Sequence, residues 1–338
     1  MKYLPIAIIA DQDFFLPSVV AITSLLENKK QESVYKIYFI NVGFTEEQKL
    51  KVLSIEQKYS TQIVLCDINE EELKARYICL AKHDCCASIT ALIKFDLPYI
   101  CREEETLLYL DGDIIVQNDL SELGNCVFED EIYVKAVIDT GVLYSSKLIR
   151  QPVDDYFNSG VMLLNLAAMR RDKISELLVK EKFISTDNSL MDQHVFNSVF
   201  ISHKELLPHK YNVLYVNLVR AHYFHGITVE QINEMMHTNY ISWRDMREKA
   251  TIIHYSSFDK PWKYSDVDGV EIWNDYFEKS VVSNTILNRK RLHIKIINCM
   301  RAHRLTSLVG SFIWECEIMG IRLALKDTKK FLKMRRRQ

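Results

Sequence analysis

The chain has 338 residues, of which 48% are hydrophobic, and its 43 Lys/Arg and 45 Asp/Glu give a formal net charge of −2. This composition is typical of a globular protein with one large domain or two modest ones, and it argues against a disordered or fibrous chain. No uninterrupted apolar stretch approaches the roughly 20 residues that span a bilayer, and the apolar run near Met1 is too short for a secretory signal.

The first third of the chain alternates predicted strands with predicted helices. Strands are expected at residues 6–10, 36–42 and 62–67. Helices are expected at residues 17–26, 45–59 and 91–97, with an N-cap pattern at Thr45 and with Pro98 as a terminator. This alternation predicts a mainly parallel sheet. Further strands are expected at residues 107–110, 134–139 and 161–165, and only helices are expected after residue 266.

The eight cysteines give no sign of a metal or disulfide framework. None belongs to a C-x-x-C pair, and no Cys/His set has the spacing of a zinc site. Reduced thiols in a cytosolic protein are therefore expected.

The strongest chemical signal is an acidic pair at the end of a predicted strand. Asp111 and Asp113 follow the apolar run 107–110, with Gly112 between them. Strand residues two apart point to one side, so both carboxylates can face one ion, and oxygen ligands suit Mg²⁺ or Mn²⁺. Gly112 would let a ligand approach the backbone. The alternative is an ordinary surface turn.

Four other segments carry polar groups at comparable positions. Each also has a simpler reading, as a solvated loop, a tight turn, a helix cap or a buried core histidine. They are Asp11 and Asp13 after the first strand, Asn158-Ser159-Gly160 before a buried strand, Asp192-Gln193 at a helix start, and His254 with Lys260 after an apolar run.

Taken in this order, the motifs resemble those of the retaining glycosyltransferases of family eight. This family of nucleotide-diphosphosugar transferases includes bacterial lipopolysaccharide galactosyl- and glucosyltransferases and glycogenin. The resemblance covers about residues 4–264. The matching stretches are Ile-Ala-Ile-Ile-Ala-Asp-Gln-Asp, Leu-Tyr-Leu-Asp-Gly-Asp-Ile-Ile-Val, Phe-Asn-Ser-Gly-Val-Met-Leu-Leu-Asn-Leu, Asp-Gln-His and His-Tyr-Ser-Ser-Phe-Asp-Lys-Pro-Trp.

The resemblance implies an α/β chain with a GT-A (Rossmann-like nucleotide-diphosphosugar transferase) domain, a Mn²⁺ or Mg²⁺ ion and a UDP-sugar donor. It assigns Asp111, Asp113 and His254 to the metal. The implied donor-binding residues are Ala10, Asp11, Asp13, Lys94, Asp111, Gly112, Asn158, Ser159, Ser257 and Lys260. The implied catalytic groups are Gln193 and Asp192 near the transferred sugar and Asp139 near the acceptor. Lys94 occupies a position where the family commonly has arginine, and Ser257 one where it often has glycine. These departures affect the expected donor preference more than the expected class of activity.

The implied reaction moves glucose or galactose from UDP-glucose or UDP-galactose to a glycan acceptor, lipopolysaccharide or a related cell-surface oligosaccharide. A glycoprotein acceptor is the alternative, as is a non-catalytic protein that binds sugar nucleotides. A phosphatase with Asp111 as nucleophile is a weaker reading, because such sites place their Asp pair on the first strand and follow it with Thr or Val, where this chain has Ile115.

The C-terminal part of the chain is strongly basic. Residues 289–338 contain 14 Lys/Arg and 3 Asp/Glu, a net charge of +11, which leaves 29 basic and 42 acidic residues elsewhere, a net of −13. Residues 305–323 have the apolar spacing of an amphipathic helix. We therefore expect a catalytic domain at 1–265 and a helical basic extension at 266–338 that attaches to an anionic membrane, on the inner face of the cytoplasmic membrane. The alternatives are a helix packed on the domain and, less favoured, a nucleic-acid arm, since no base-reading module is present.

Overall fold

A seven-stranded mixed sheet and a separate two-stranded sheet form the framework of the part of the chain that the structure describes. The computed structural model describes residues 2–77, 89–145, 155–184, 191–256 and 259–290. The strands are β1 (Lys2–Asp11), β2 (Ser33–Val42), β3 (Gln62–Ile68), β4 (Thr106–Leu110), β5 (Ile114–Val116), β6 (Val134–Ile138), β7 (Phe157–Asn165), β8 (Lys204–Leu206) and β9 (Ile252–His254). The large sheet has the order β3-β2-β1-β4-β7-β6-β8, and β5 pairs with β9.

Helices connect most of these strands. The α-helices of the described residues are α1 (Phe15–Glu27), α2 (Glu46–Tyr59), α3 (Glu70–Tyr77), α4 (Leu97–Ile100), α5 (Leu166–Arg171), α6 (Ile174–Ile184), α7 (Met191–Val199), α8 (Tyr215–His225), α9 (Val229–Met236), α10 (Trp243–Lys249) and α11 (Val270–Lys279). Short 3-10 helices occur at Ile89–Asp96, Leu123–Asn125, Thr140–Leu143 and His209–Tyr211.

The central strand β1 is buried on both faces. Leu4, Ile6 and Ile8 belong to one buried hydrophobic cluster, and Ala7 and Ile9 belong to another. Successive strand side chains point to opposite faces, so each face of the sheet has its own core. Helix α1 contributes to the first core and α7 to the second. The nearly continuous apolar sequence of β1 is typical of a buried parallel strand.

Strand β7 runs opposite to both of its neighbours, β4 and β6. The other neighbouring strands of the large sheet are parallel. Leu110, the last residue of β4, therefore pairs with Val161 in the middle of β7, and Ile138 at the end of β6 pairs with Phe157. This reversal brings the beginning of β7 to the edge where β4 and β6 end.

Most predicted elements are present with shifted ends, and the mainly parallel sheet is confirmed. The cap at Thr45 is also confirmed, because its side chain accepts from the Gln48 N–H while the Gln48 side chain accepts from the Thr45 N–H. The prediction that Pro98 ends a helix is wrong. Pro98 lies in the first turn of α4, where a backbone N–H has no helical partner and proline is tolerated.

The described part of the predicted extension packs against the main core. Trp273 of α11 is buried, and the Tyr276 hydroxyl accepts from Asn28 Nδ2 at 2.7 Å. The Arg289 guanidinium lies 5.1 Å from the centre of the Trp273 ring. The chain after residue 265 thus contacts the preceding domain as far as residue 289, and the boundary at residue 265 stays a prediction. The amphipathic segment 305–323 lies outside the described residues. Among the helices that the structure describes, none is both long and apolar enough to cross a bilayer.

Candidate active site

The predicted site residues meet at one edge of the large sheet. Asp111 follows β4, Asp139 follows β6, and β7 starts beside both with Asn158 and Ser159. Helix α7, which packs on β7, presents Asp192 near its first turn. Open α/β sheets bind ligands at the carboxyl ends of their parallel strands, so this edge is where a ligand is expected.

The two-stranded sheet places His254 beside the acidic pair. Strand β5 follows Asp113 directly, and its first residue, Ile114, pairs with His254 at the end of β9. The Tyr255 N–H donates to the Asp113 carbonyl oxygen at 2.9 Å. Backbone pairing therefore brings a histidine that is distant in the sequence next to the two carboxylates.

Asp111, Asp113 and His254 form a cluster whose ligand atoms all lie within 4.8 Å of one another. His254 Nε2 lies 3.1 Å from Asp113 Oδ1 and 3.6 Å from Asp111 Oδ2. Asp113 Oδ1 and His254 Nε2 are buried, and neither has a hydrogen-bond partner among the described residues. Buried polar atoms are normally paired, so two oxygens and one nitrogen left facing each other fit a divalent cation.

Lys260 lies on the other side of Asp113. Its ammonium donates to Asp113 Oδ2 and, at 2.6 Å, to the Tyr255 carbonyl oxygen. Burial alone would raise the pKa of Asp113, but the Lys260 ammonium, together with the contact from His254, outweighs it and holds that pKa below its usual range. Asp113 is therefore ionised at neutral pH, beside a cationic side chain of the kind that binds phosphate.

Lys94 is enclosed between two of the predicted site carboxylates. Its ammonium lies 3.1 Å from Asp111 Oδ1 and 2.8 Å from Asp192 Oδ2, and it donates to the Ser159 carbonyl oxygen at 3.3 Å. Burial lowers the pKa of Lys94, yet the two carboxylates more than compensate and leave it above its ordinary value. All three ammonium donors thus have protein partners. The structure shows Lys94 holding two site carboxylates together, while its contact with a donor stays a prediction.

Replacing Lys94 by methionine should destabilise the folded protein strongly. The change leaves two carboxylates without their buried counter-charge, and breaking such a pair costs about 3–5 kcal/mol. We expect a correspondingly lower free energy of unfolding in chemical denaturation. Lys49→Met is the matched control, because Lys49 pairs with Glu46 and Asp67 at an exposed site and its loss should change stability little. Equal stability of the two variants would contradict the structural role of Lys94.

A second network joins the groups predicted near the transferred sugar. Gln193 Oε1 accepts from Asn158 Nδ2 at 2.9 Å and from the Ser159 N–H at 3.3 Å. Gln193 Nε2 donates to Asp139 Oδ2 at 3.0 Å. Asp192 Oδ2 accepts from Ser159 Oγ at 2.9 Å. This mixture of amide and carboxylate groups suits sugar hydroxyls, which both donate and accept hydrogen bonds.

The residues predicted around the nucleotide lie at the end of β1. Ala10 is buried there, Asp13 is exposed, and Asp11 Oδ1 accepts from the Phe14 N–H at 3.0 Å. The Phe14 ring meets the Trp262 ring edge to face, with ring centres 5.8 Å apart. The loop after β1 therefore lies against the segment that follows Lys260.

Two residues important for the site geometry were not assigned to it from sequence. A Cβ on Gly160 would lie 2.2 Å from His254 Cε1 and 2.6 Å from Asp111 Oδ2, so glycine makes the space that the cluster occupies. Tyr109, buried in β4, donates its hydroxyl to Asp111 Oδ1 at 2.6 Å. Tyr109 precedes Asp111 by two positions, the spacing that puts both on one face of a strand, so its signal was available in the sequence.

Gly112 is required by packing against α1. A Cβ at this position would lie 2.1 Å from Ser18 Oγ, which explains the glycine whether or not a ligand also approaches it. Ser257, predicted near the phosphates, lies outside the described residues.

Chemically, the edge combines a cation-binding cluster, an adjacent ammonium and a network for hydroxyl groups. Such a site can stabilise negative charge that develops on a leaving group while it holds a polyhydroxylated substrate.

Comparisons with known proteins agree with this geometry. The profile of glycosyl transferase family 8 matches residues 5–266. The chain is 30% identical over 262 residues to a lipopolysaccharide 1,2-glucosyltransferase of Escherichia coli, across 75% of this chain and 71% of that protein. It is 23% identical over 283 residues to general stress protein A of Bacillus subtilis (strain 168), across 79% of this chain and 91% of that protein. The structure of the galactosyltransferase LgtC in complex with donor and acceptor sugar analogs aligns over 84% of this chain and 98% of that one, with a TM-score of 0.66 and 19% identity.

These matches confirm both the family resemblance and the expected fold. The mixed sheet with its helices corresponds to the sheet of LgtC, and the chain has the GT-A fold. Because the family profile covers well over half of its length, the chain belongs to glycosyltransferase family 8 and is a sugar transferase.

Proposed function

We propose that this protein is a metal-dependent retaining glycosyltransferase that moves a hexose from UDP-glucose or UDP-galactose to a glycan, lipopolysaccharide or a related cell-surface oligosaccharide. The observation that carries the proposal is the facing pair His254 Nε2 and Asp113 Oδ1, buried without hydrogen-bond partners beside the polar network of Asn158, Gln193 and Asp139. The names of the relatives support the substrate classes, since one is a lipopolysaccharide 1,2-glucosyltransferase and another is a galactosyltransferase solved with donor and acceptor sugar analogs.

The cation would be held by Asp111, Asp113 and His254, and Mn²⁺ fits better than Mg²⁺ because one ligand is an imidazole nitrogen. Once bound, it supplies Lewis-acid stabilisation of the diphosphate of the donor. Lys260 would add a second positive charge, from the protein itself, to stabilise the same diphosphate. Its ammonium contacts Asp113 and would turn toward the diphosphate oxygens as the donor enters.

The transferred sugar would be held by Asn158, Asp192 and Gln193. Retaining glycosidases place a carboxylate nucleophile about 5 Å from the acid, but here the corresponding position carries an amide, Gln193, which is a poor nucleophile. The nearby carboxylate Asp139 is also engaged, because its Oδ2 accepts from both Gln193 Nε2 and Asn158 Nδ2. These contacts favour attack of the acceptor hydroxyl from the leaving-group side. The new C–O bond forms as the bond to the phosphate oxygen breaks, and that phosphate oxygen takes the hydroxyl proton.

Turnover of a UDP-sugar is the direct test of this function. We expect release of UDP from UDP-glucose or UDP-galactose with Mn²⁺, faster release with a truncated lipopolysaccharide acceptor, and none after chelation with EDTA. NMR of the product should show the α configuration of the donor. Undiminished activity in EDTA would refute the metal assignment, and a β-linked product would refute retention.

The basic extension is proposed to attach the enzyme to an anionic membrane surface, on the cytoplasmic side. Residues 291–338 carry 12 Lys/Arg and 3 Asp/Glu. Each basic side chain near such a surface contributes about 1 kcal/mol, so a few engaged residues suffice for binding.

Truncation after residue 290 should therefore release the protein from vesicles that contain anionic lipid and leave hydrolysis of the UDP-sugar unchanged. This cut keeps Arg289, which packs on Trp273 and donates to Asn274 Oδ1 at 2.7 Å, so the described fold stays intact. High salt should weaken vesicle binding of the full chain, because charges are screened within about 10 Å at 0.1 M. Retained vesicle binding would place the membrane determinant elsewhere, and unfolding would support the packed-helix alternative.

A further inference from the structure

We infer that Asn212 is a positioning residue that fixes the metal-facing nitrogen of His254 and connects it to the sugar-side network. Asn212 is 1% exposed and directly follows the 3-10 helix His209–Tyr211. Its neighbour Val213 is fixed on β9, because its N–H donates to the Ile252 carbonyl at 3.0 Å and its carbonyl accepts from the His254 N–H at 2.9 Å. The inference rests on the proposed function, since it concerns the same cation and sugar.

The direction of every hydrogen bond in this connection follows from one backbone group. The Gly160 N–H can only donate, and it lies 3.0 Å from Asn158 Oδ1, which identifies that atom as the amide oxygen. The Asn212 atom 2.9 Å from the same oxygen must then be the donor Nδ2. The remaining amide atom, Asn212 Oδ1, can only accept, so His254 Nδ1 at 2.9 Å must carry a proton.

The consequence is a defined form of the imidazole. With the proton on Nδ1 shared with Asn212, Nε2 is the ring nitrogen left to bind a cation, and it lies 3.1 Å from Asp113 Oδ1. A hydrogen bond to the second ring nitrogen is the usual way in which proteins orient a metal-binding histidine. Free histidine has no such constraint, so Asn212 selects the tautomer that can bind a cation.

The same residue also reaches the sugar side. Asn158, which accepts from Asn212, donates through Nδ2 to Gln193 Oε1 at 2.9 Å and to Asp139 Oδ2 at 3.2 Å. An unbroken chain of hydrogen bonds therefore runs from the metal ligand to the groups proposed to hold the transferred sugar. Asn212 thus makes two separate hydrogen bonds: its Oδ1 accepts from His254, and its Nδ2 donates to Asn158.

Two substitutions distinguish the effects of these two hydrogen bonds. Asn212→Asp keeps an acceptor for His254 Nδ1 but has no N–H for Asn158. Asn212→Leu keeps the branched shape of the side chain and loses both hydrogen bonds. Asn165 provides matched controls, because it is hydrogen-bonded at the opposite end of β7, to the Ile132 carbonyl and the Ala168 N–H, and can receive the same two changes.

The first measurement is the affinity for Mn²⁺ in the presence of UDP. Electron paramagnetic resonance detects the free ion and so reports how much Mn²⁺ is bound. Asn212→Leu should bind Mn²⁺ about 10–100-fold more weakly than the wild type, the usual loss when the partner of a ligating histidine is removed. Asn212→Asp should bind Mn²⁺ within about threefold of the wild type but lower kcat by about fivefold to tenfold, the effect of one lost hydrogen bond. The Asn165 variants should change melting temperature without changing either quantity.

A second measurement does not need the metal. ¹⁵N NMR of labelled histidine in the metal-free protein should show His254 protonated at Nδ1 in the wild type and in Asn212→Asp, and at Nε2 in a substantial fraction of Asn212→Leu. Wild-type Mn²⁺ affinity in Asn212→Leu, or equal losses in both Asn212 variants, would overturn the inference. A wild-type protein with the expected tautomer that binds no Mn²⁺ would instead refute the proposed metal dependence and leave the role of Asn212 in place.

Discussion

Sugar transfer by the Asp113→Asn variant is expected to fall by about a thousandfold or more, since a bound metal contributes several kcal/mol to stabilising charge in the transition state. The change removes one of three ligands of the cation cluster and the carboxylate partner of Lys260. It keeps the volume of the side chain, so the fold should be retained. UDP release under saturating donor and Mn²⁺ measures the loss.

Asp67→Asn is the matched control for this variant. Asp67 also lies near the end of a strand and pairs with a lysine, Lys49, but no histidine joins it in a metal cluster among the described residues. Its activity should equal that of the wild type. An Asp113→Asn enzyme with more than about a tenth of wild-type activity would show that Asp113 does not hold a catalytic metal, since a tenfold loss is only about 1.4 kcal/mol.

Gly160→Ala should weaken metal binding strongly while the protein still folds. The added Cβ would overlap His254 Cε1 and Asp111 Oδ2, at 2.2 and 2.6 Å. Neither neighbour moves freely, because His254 is hydrogen-bonded to Asn212 and Asp111 to Tyr109. Relief of the overlap must therefore separate the ligands, at an overpacking cost of about 1–3 kcal/mol. We expect the affinity for Mn²⁺ to fall by about 100-fold, which is the largest loss usually seen when the residues that support metal ligands are changed. The rate of UDP release should fall to a similar extent.

Gly226→Ala distinguishes this effect from a general loss of stability. Gly226 has φ +71° and no atom within 4 Å of an added Cβ, so alanine there is strained by the backbone but touches nothing. That strain costs about 1–2 kcal/mol and should lower the melting temperature without changing Mn²⁺ affinity. If Gly160→Ala bound Mn²⁺ as the wild type does, the close packing of the cluster around Gly160 would not be required for metal binding.

The parallel half of the sheet and the position of the acidic pair were predictable because local patterns determine them. Buried parallel strands such as β1 are nearly continuous apolar runs, and Asp111 and Asp113 directly follow one. The direction of β7 was not predictable in this way, since a strand has the same apolar pattern in either direction. Yet that direction decides that Asn158 and Ser159 lie beside Asp111.

The roles of residues that act through contacts distant in sequence were also not predictable from the sequence. Asn212 lies 42 positions before His254, and no local pattern indicates that the two side chains meet. Lys94 was assigned to the donor by resemblance, whereas its burial between Asp111 and Asp192 depends on packing of the 3-10 helix Ile89–Asp96 that only the structure shows. For Gly160 the sequence left a tight turn as an alternative, whereas the residue lies within β7.

The reversed strand β7 also has a consequence for how such an enzyme can diversify. The chain between β6 and β7 leaves and re-enters the sheet at the same edge, and it is bounded by site residues at both ends, Asp139 and Asn158. Lengthening the chain that connects two paired strands carries only a small entropic cost. New acceptor preferences could therefore evolve by changes in residues 140–156 with the donor site held constant. Exchange of this segment between family members, followed by acceptor profiling, would show whether acceptor choice moves with it.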